Sequence, residues 1–379
     1  MNIQAVDRRV WATERTDDRA SEQPLRASRW RAALTWLYGE EMAHAQYKGT
    51  TSIGLVREAL SGAIQRGLDI QPILQFARID PELLNAPQAR VEASAFSRLW
   101  IALSDQMDDE FFGIDSHPMR RGSFQLMCHA VIGCRSLEQA LQRMLAFLRC
   151  ILDDVYGTLE MEGNDARIII HDYGTERRLY AYGTWLVLVH GLLCWLANRR
   201  IPLQEVRFRP PRPEDDSDYR LRFHSEIEYG AAVTLVRFDR SFLSLKIAQN
   251  NNHLSAFLRE APANLLVKYR NDESVSALIR HRLRGQSPDE WPELDDVAKD
   301  LRVSSSTLQR RLQAEGASYQ RLKDDLRRDM AINLLSQAEL SVSDVAALTG
   351  FQETSAFHRA FKKWTGVSPG AYRNTPATP

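Results

Sequence analysis

Residues 344–364, DVAALTGFQETSAFHRAFKKW, decide how the C-terminal part of this chain folds. Two apolar-patterned segments lie on either side of Gly350 and Phe351, and the second segment places Phe357 and Phe361 at helical spacing. Basic side chains occupy the opposite face of that segment. The pattern predicts two short helices joined by a sharp turn, the second of them apolar on one face and basic on the other.

The same pattern occurs upstream at residues 296–312, DVAKDLRVSSSTLQRRL. Val297 and Val345 are 48 residues apart, and Leu308 and Phe357 are 49 residues apart. Such small changes in spacing indicate two copies of one supersecondary unit that differ by single residues in their turns. In each copy a helix, a turn and a second helix follow one another, which is the order of a helix-turn-helix unit.

The turns of the two copies differ in residue type. Gly350 can supply the positive φ that the turn of the second copy needs, and Phe351 can fill the angle between its helices. The first copy has Arg302 and Val303 at these positions. Its turn therefore requires a left-handed arginine, which is tolerable at a modest cost.

Between the copies, residues 319–337 (YQRLKDDLRRDMAINLLSQ) predict one continuous helix of about 28 Å. Successive major-groove faces of DNA are about 34 Å apart. A rigid rod of this size, with the width of the units that it joins, would let one chain place both second helices on one face of a duplex.

The second helix of each copy supplies the candidate DNA contacts. In the first copy Ser304 is the expected N-cap, and Leu308 and Leu312 point inward. Side chains on the outward face could contact base edges, since Gln can bind adenine and Arg guanine with two hydrogen bonds, and lysines could contact phosphates. The predicted DNA-binding residues are Ser306, Gln309, Arg310, Arg311, Thr354, Ser355, His358, Arg359, Lys362 and Lys363.

A simpler interpretation is that these basic residues form only a solvated helix face. The formal net charge of the chain is zero, and residues 290–379 contain as many acidic as basic side chains. Two copies at fixed spacing, joined by a helix of suitable length, nevertheless favour DNA binding, because the position of the charges matters more than their sum.

The rest of the chain has the composition of an ordinary globular protein. Its 379 residues are 44% hydrophobic and 26% charged, which suits two or three domains. Residues 1–45 are polar and predict a mobile arm. Helical periods recur over residues 51–152, and the period then changes to two in YGTLEMEGNDARIIIHD, a hairpin signal around Gly163.

Further alternating runs follow at residues 203–213, 219–230 and 231–243. An α+β domain with a small antiparallel sheet over residues 46–250 is therefore predicted. Three consecutive asparagines, residues 250–252, mark its edge. A helical connector is predicted over residues 251–285, and the repeat pair over residues 286–379 forms an all-α domain.

No feature of the sequence predicts secretion, membrane insertion or a metal centre. The start lacks the apolar run of a signal peptide, so the chain is expected in the cytoplasm. The apolar run at residues 185–197 is too short to cross a bilayer and predicts a buried helix. The four cysteines match no zinc or CxxC spacing, including the local group of Cys128, His129 and Cys134, and they predict reduced core thiols.

Residues 348–373, LTGFQETSAFHRAFKKWTGVSPGAYR, resemble the C-terminal signature of the AraC/XylS family of bacterial transcription regulators. The likeness covers about the last hundred residues. It implies that two helix-turn-helix units joined by a long helix read double-stranded promoter DNA. The family's base-contacting positions correspond to Ser306, Gln309 and Arg310 in the first unit, and to Thr354, Ser355, His358 and Arg359 in the second; Ser306 lacks the large side chain of some members.

The upstream region also resembles one branch of this family. PMRRGSFQLMCHAVIGCRSLEQALQRMLAFL and LLCWLANRRIPLQEVRF are similar to a mixed α/β effector and dimerisation domain. The resemblance implies that residues 46–250 bind a small-molecule effector and that the chain forms a homodimer, with RNA polymerase as a further candidate partner. It implies no cofactor.

Several side chains of the upstream region are candidates for effector contacts. Tyr182, Trp185 and His190 lie on the apolar helix, and Arg121 could pair with an effector carboxylate. Tyr180, Trp195, Arg120, Arg199 and Arg200 are weaker candidates of the same kinds. Against each stands a structural role, because aromatic residues on an apolar helix commonly belong to the core and arginines commonly form salt bridges.

Two other classes of function remain as alternatives. An enzyme localised by a DNA reader would need a catalytic motif, and no GxSxG, Gly-rich phosphate loop or HExxH occurs. A DNA-alkylation repair protein would need a nucleophilic cysteine and a zinc-binding cysteine cluster. A structural adaptor would use the repeat to bind protein instead of DNA.

Overall fold

The structure, a computed structural model, describes residues 49–224, 226–267, 274–337 and 340–373. The predicted arm at residues 1–45 lies outside this part of the chain. The helices are α1 (Ile53–Gln65), α2 (Gln71–Ala77), α3 (Ala93–Met107), α4 (Ser123–Ile132), α5 (Leu137–Ile151), α6 (Leu179–Leu196), α7 (Ser217–Arg222), α8 (Asn251–Glu260), α9 (Ala263–Val267), α10 (Val275–Arg284), α11 (Leu294–Asp300), α12 (Ser305–Ala314), α13 (Tyr319–Leu335), α14 (Val342–Leu348), α15 (Thr354–Thr365) and α16 (Pro369–Arg373). The strands are β1 (Thr50–Ser52), β2 (Arg90–Glu92), β3 (Tyr156–Glu162), β4 (Asp165–His171), β5 (Glu205–Phe208), β6 (Glu228–Tyr229) and β7 (Thr234–Asp239).

The predicted helical region over residues 51–152 contains α1 to α5, and it also contains a two-stranded ribbon that the sequence did not predict. β1 and β2 pair antiparallel over three residues each, and α1 and α3 follow them directly. The Ser52 side chain caps α1 by accepting a hydrogen bond from the Leu55 N–H. Three residues are too few to show a period of two, so the sequence carries no signal for this ribbon.

Five strands form one sheet in the order β3-β4-β7-β5-β6. The predicted hairpin of β3 and β4 is confirmed, and Gly163 adopts a φ of 56° in its turn. A Cβ on Gly157 of β3 would lie 2.5 Å from the Trp185 ring, so the missing side chain lets the sheet contact α6 closely. The expected antiparallel sheet is wrong at one edge, where β5 and β6 are parallel because α7 carries the chain across between them.

The alternation at residues 219–230 predicts a strand, and this prediction is wrong for most of the segment. α7 and its end occupy the first half, and only β6 follows. Tyr219, Arg222 and Phe223 are buried at helical spacing. A Cβ on Gly183 of α6 would lie 2.7 Å from the Tyr219 ring, and Arg222 donates a hydrogen bond to a carbonyl of α9. Contacts with α6 and α9 therefore favour the helix over the strand.

The apolar helix α6 is the centre of the N-terminal core. It is long and apolar enough, by length and composition, to cross a membrane, but 89% of it is buried inside the molecule. Residues from α1, α3, α5 and the sheet join it in one continuous core. The sequence prediction of a buried helix is confirmed.

In the C-terminal region, α11–α12 and α14–α15 are two helix pairs with matching turns. After α11, the Val303 N–H donates to the Ala298 carbonyl at 3.0 Å. After α14, the Phe351 N–H donates to the Ala346 carbonyl at 2.9 Å. The sequence repeat therefore corresponds to a repeat in backbone hydrogen bonding, with the helices held at equivalent turns.

The long helix α13 contributes to two separate cores. It has 17 residues and is about 26 Å long, and it ends two residues before the predicted end. The residues up to Met330 that pack with α10 and the first helix pair are Tyr319, Leu322, Leu326 and Met330. The residues of its second half that join the second helix pair and the N-terminal core are Ala331, Ile332, Leu334 and Leu335. The second helix pair thus shares its core with the N-terminal domain.

The predicted connector at residues 251–285 packs in two different places. Phe257 of α8 stacks on Trp195 of α6, with ring centroids 4.3 Å apart, and Leu265 of α9 is buried in the same core. Leu283 of α10 joins the core of the first helix pair. In terms of side-chain packing, the division between the two regions lies between α9 and α10.

Substitutions in the two turns should change the stability of the protein in opposite directions, because one left-handed position holds glycine and the other holds arginine. Arg302 has a φ of 54° and Gly350 a φ of 82°, and left-handed backbone costs a residue with a Cβ about 1–2 kcal/mol. Gly350→Ala should therefore lower the free energy of unfolding by about 1–2 kcal/mol, since its Cβ would also lie 3.0 Å from Pro288 and Asp289. Arg302→Gly should raise it by less than about 1 kcal/mol.

Urea denaturation followed by circular dichroism measures both changes. Gly285→Ala is the matched control, because Gly285 has a φ of −79° and its added Cβ would meet only ordinary contacts. A Gly350→Ala chain as stable as the control would contradict the left-handed turn.

Candidate functional site

Helix α12 presents one polar, basic face to solvent. The Ser304 side chain caps it by accepting a hydrogen bond from the Thr307 N–H at 3.2 Å, as predicted. Leu308 and Leu312 are buried, and this positions the opposite face outward. The four predicted DNA-binding residues on that face are all exposed: Ser306, Gln309, Arg310 and Arg311.

Helix α15 has the same arrangement with a larger aromatic core. Phe357 and Phe361 are fully buried, and Phe351 packs edge-on against Phe357 with ring centroids 5.5 Å apart. Phe351 therefore fills the angle between α14 and α15, as predicted. The predicted residues Ser355, His358, Arg359, Lys362 and Lys363 are exposed, and Thr354 is half-buried with its hydroxyl 3.4 Å from that of Ser343.

The basic side chains on these two faces have no acidic partner in the part of the chain that the structure describes. Among the described residues, Arg310, Arg311, Arg359, Lys362 and Lys363 form no ion pair, whereas many arginines of the N-terminal region do. Their charges are therefore not neutralised by any acidic side chain that the structure describes. Two outward helix faces with uncompensated positive charge are suited to an anionic polymer such as DNA.

The four predicted effector-binding residues, three of them on α6, each make contacts within the N-terminal region. Tyr182 donates a hydrogen bond to Asp172, and Trp185 is buried against β3. Burial lowers the pKa of His190 to about 3, so its ring is neutral and its Nε2 donates to the Ile201 carbonyl at 2.8 Å. Arg121 forms ion pairs with Asp105 at 2.7 Å and with Glu110 at 3.4 Å.

An apolar cavity that opens to solvent lies instead between α3, α6 and α7. None of those four side chains lines it, although the neighbouring Tyr180, which the sequence suggested, does. Its lining is mostly aromatic and aliphatic: Thr51, Leu55, Phe96, Trp100, Tyr180, Gly183, Thr184, Val187, Asp218, Tyr219, Leu221, Arg222, Phe223 and Leu266. A lining of this kind, apolar with a few polar groups, is typical of small-molecule sites.

No cluster of three or more possible metal ligands occurs among the described residues. Cys128 and Cys134 are buried, and burial raises the pKa of both thiols, which disfavours the thiolate form that binds metals. The two cysteines are therefore protonated core residues.

The β1–β2 ribbon holds the N-terminal region against α13 and α16. Arg90 Nε donates to the Thr50 hydroxyl at 2.8 Å, and its guanidinium also donates to Asp218 of α7 at 2.6 Å. The Thr50 hydroxyl donates to Asp329 of α13 at 2.6 Å. The Tyr372 hydroxyl of α16 donates to the Arg90 carbonyl at 3.0 Å. Thr50, Arg90, Asp218, Asp329 and Tyr372 thus form one network of hydrogen bonds, which we call the joint.

The joint is buried and stays charged. Burial alone would raise the pKa of Asp329, but the charges of Arg328 and Arg90 and the hydrogen bond from Thr50 hold it below its ordinary value. Burial opposes the charge of Arg90 as well, and the carboxylates of Asp218 and Asp329 raise its pKa more than burial lowers it. The sequence carries no signal for the joint, because its five members come from five separate segments with no regular spacing.

Comparison with known proteins gives two family matches. Residues 67–247 match the N-terminal arabinose-binding domain of AraC transcription regulators. Residues 297–375 match a helix-turn-helix domain. The first match covers α3, α6, α7 and the five-stranded sheet, and the second covers the end of α11 and all of α12 to α16.

Several named proteins are similar to this chain. The ornithine utilization regulator of Pseudomonas aeruginosa is 26% identical over 317 residues, which cover 82% of this chain and 92% of that protein. The regulator VqsM of the same species is 39% identical over 113 residues, covering 27% of this chain and 35% of VqsM. The crystal structure of CdpR, also from this species, aligns over 84% of this chain and 96% of CdpR at 20% identity with a TM-score of 0.28.

Asp329→Asn should destabilise the protein by about 1–3 kcal/mol at neutral pH, because the joint loses a charged acceptor. The pKa of Asp329 is lowered by folding, so its contribution is present above the ordinary aspartate pKa of about 4 and is lost as the pH falls through the folded value. The difference between wild type and variant should therefore shrink below about pH 4.

Urea denaturation at a series of pH values measures this difference. Asp324→Asn on the same helix is the matched control, because Asp324 is half-exposed and accepts a hydrogen bond only from Gln320 among the described residues. Equal effects of the two substitutions would show that the joint contributes no special stability.

Proposed function

Since the chain belongs to the AraC family of DNA-binding transcriptional regulators, we propose that it binds specific promoter sequences through both helix pairs and responds to a small metabolite. It is a regulator and not an enzyme. The proposal treats α11–α12 and α14–α15 as two helix-turn-helix units, and residues 286–379 as the domain that binds double-stranded DNA.

One observation carries the proposal for two reading helices. α12 and α15 follow turns with matching hydrogen bonds, and each exposes basic side chains that have no acidic partner among the described residues. A helix of about 26 Å joins the two pairs. With the width of the pairs added, this length approaches the separation of about 34 Å between successive major-groove faces.

The residues divide by side-chain chemistry into base contacts and phosphate contacts. Residues proposed to meet base edges in the major groove are Ser306, Gln309, Arg310, Thr354, Ser355, His358 and Arg359. Those proposed to meet phosphates are Arg311, Lys362 and Lys363. Base contacts determine sequence preference, whereas phosphate contacts determine position and general affinity.

The N-terminal domain is proposed to bind the effector and to form a homodimer. Its match to an arabinose-binding domain supports a small-molecule site, and the apolar cavity beside α6 is the place that we propose for it. A dimer would place four reading helices on two half-sites, and RNA polymerase is a further proposed partner. Promoter binding requires a cytoplasmic location, which we propose for this chain.

Selection of binding sites from random duplex DNA tests the function, and Arg359→Ala tests its mechanism. The wild-type chain should enrich one motif with two halves. The variant should bind that motif about 1–3 kcal/mol more weakly and tolerate any base at one position, because a bidentate contact is lost.

Arg57→Ala, an exposed arginine on α1, is the matched control and should leave the motif unchanged. Absence of any enriched motif, or unchanged preference in the Arg359 variant, would contradict the assigned role.

Lys363→Ala should weaken binding to all sequences alike. Loss of one phosphate contact lowers the slope of log affinity against log salt concentration by about one. Titration of specific and random duplexes at several salt concentrations measures the slope. Lys246→Ala in the N-terminal region is the control, and a loss confined to the specific sequence would contradict a phosphate contact by Lys363.

A further inference from the structure

We propose that the cavity between α3, α6 and α7 is the effector site and that it takes an uncharged compound with an aromatic or alicyclic body and one hydrogen-bond acceptor. This inference rests on the proposed function, because it names the class of effector. It assigns the site to residues other than the four that the sequence suggested.

The walls of the cavity favour a flat apolar body. Trp100 and Tyr180 lie on its sides, and Trp100 is fixed by an edge-on contact with Phe112 at 4.7 Å. Tyr219 lies against Gly183, where a Cβ would come within 2.7 Å of the ring. Rings held in this way present rigid faces, so a ligand ring gains contact area without ordering the wall.

The charged groups at the edge of the cavity already have partners within the protein. Asp218 accepts hydrogen bonds from Arg90 at 2.6 Å and from the Ser52 N–H at 2.9 Å. Arg222 donates a hydrogen bond to the Leu265 carbonyl. A ligand carboxylate or ammonium group would therefore lose its hydration without gaining a free counter-charge, which disfavours charged ligands.

One polar group in the cavity has only a weak partner. The Tyr180 hydroxyl is buried and lies near the Thr184 hydroxyl of the same lining, but it makes no well-aligned hydrogen bond among the described residues. Burial raises the pKa of Tyr180, so the hydroxyl stays protonated and can donate. Because a poorly paired buried donor is costly, a ligand oxygen that accepts a well-aligned hydrogen bond from Tyr180 would be favoured.

The position of the cavity explains how an effector would affect DNA binding. Asp218 lines the cavity and is also a member of the joint, and Thr51 of the lining is next to Thr50. Movement of α7 or β1 on ligand binding would change the contacts of Arg90 and Asp329. The ligand would thus act on α13, which joins the two helix pairs.

Calorimetric titration with a matched pair of probes tests the site. 2-Acetylnaphthalene is neutral and carries one acceptor, while 2-naphthoate has nearly the same shape and a negative charge. The neutral probe should bind the full chain at least about 10-fold more tightly than the anion or L-ornithine. Failure of 2-acetylnaphthalene to bind, or tighter binding of either charged probe, overturns the proposal.

Two cavity variants and one control locate the bound probe. Tyr180→Phe keeps the ring and removes the hydroxyl, so the Kd of 2-acetylnaphthalene should rise about 2–10-fold. Val187→Phe fills the space and should abolish binding, with thermal melts to verify folding. Tyr173→Phe, at a tyrosine that is 65% exposed and outside the cavity, should bind like wild type. Equal affinities in all the chains would place the probe elsewhere and overturn the assignment.

Parallel measurements of DNA affinity separate the two proposals. A chain that binds the neutral probe at this site but selects no DNA motif would refute the proposed function and leave the ligand assignment standing. A chain that selects a DNA motif but binds no neutral probe would refute the ligand assignment alone.

Discussion

The burial of Arg90 is the constraint on which the arrangement of this protein depends. An arginine with 7% of its surface exposed must find partners for the donors of its guanidinium, because removing this charge from water costs several kcal/mol. Those partners are Thr50 of β1 and Asp218 of α7. The Thr50 hydroxyl in turn donates a hydrogen bond to Asp329 of α13. The charge is satisfied only when all of these elements are in place together. The network therefore specifies one arrangement of the N-terminal region against α13.

Hydrophobic packing connects the N-terminal region directly to one helix pair and not to the other. The second pair shares its core with the N-terminal domain, whereas the first pair has a core with α10 and the start of α13. Since α13 belongs to both cores, its orientation sets how the two pairs are placed. A change that starts beside Arg90 thus reaches the second pair by direct packing and the first pair through α13.

Much of the fold could be predicted because its signals are local. The repeat revealed both helix pairs, and the backbone hydrogen bonds of Val303 and Phe351 show the same turn in each. The hairpin at Gly163 and the buried helix α6 also follow from periods within single segments. The segment around Tyr219 fits the period of a strand as well as that of a helix, and contacts with distant elements favour the helix. The three-residue strands of the ribbon carry no period at all.

The sequence by itself determined which side chains of α12 and α15 face outward, because helical period places Gln309 and Arg359 opposite buried residues whatever the rest of the chain does. Only the tertiary structure decided which aromatic residues of α6 line a cavity and which fill the core. Tyr180 and Trp185 are both aromatic residues of the apolar helix. Their surroundings differ, because α3 and α7 leave a space beside Tyr180, whereas β3 packs closely against Trp185. Such differences arise from contacts between residues far apart in the chain, for which no local pattern exists.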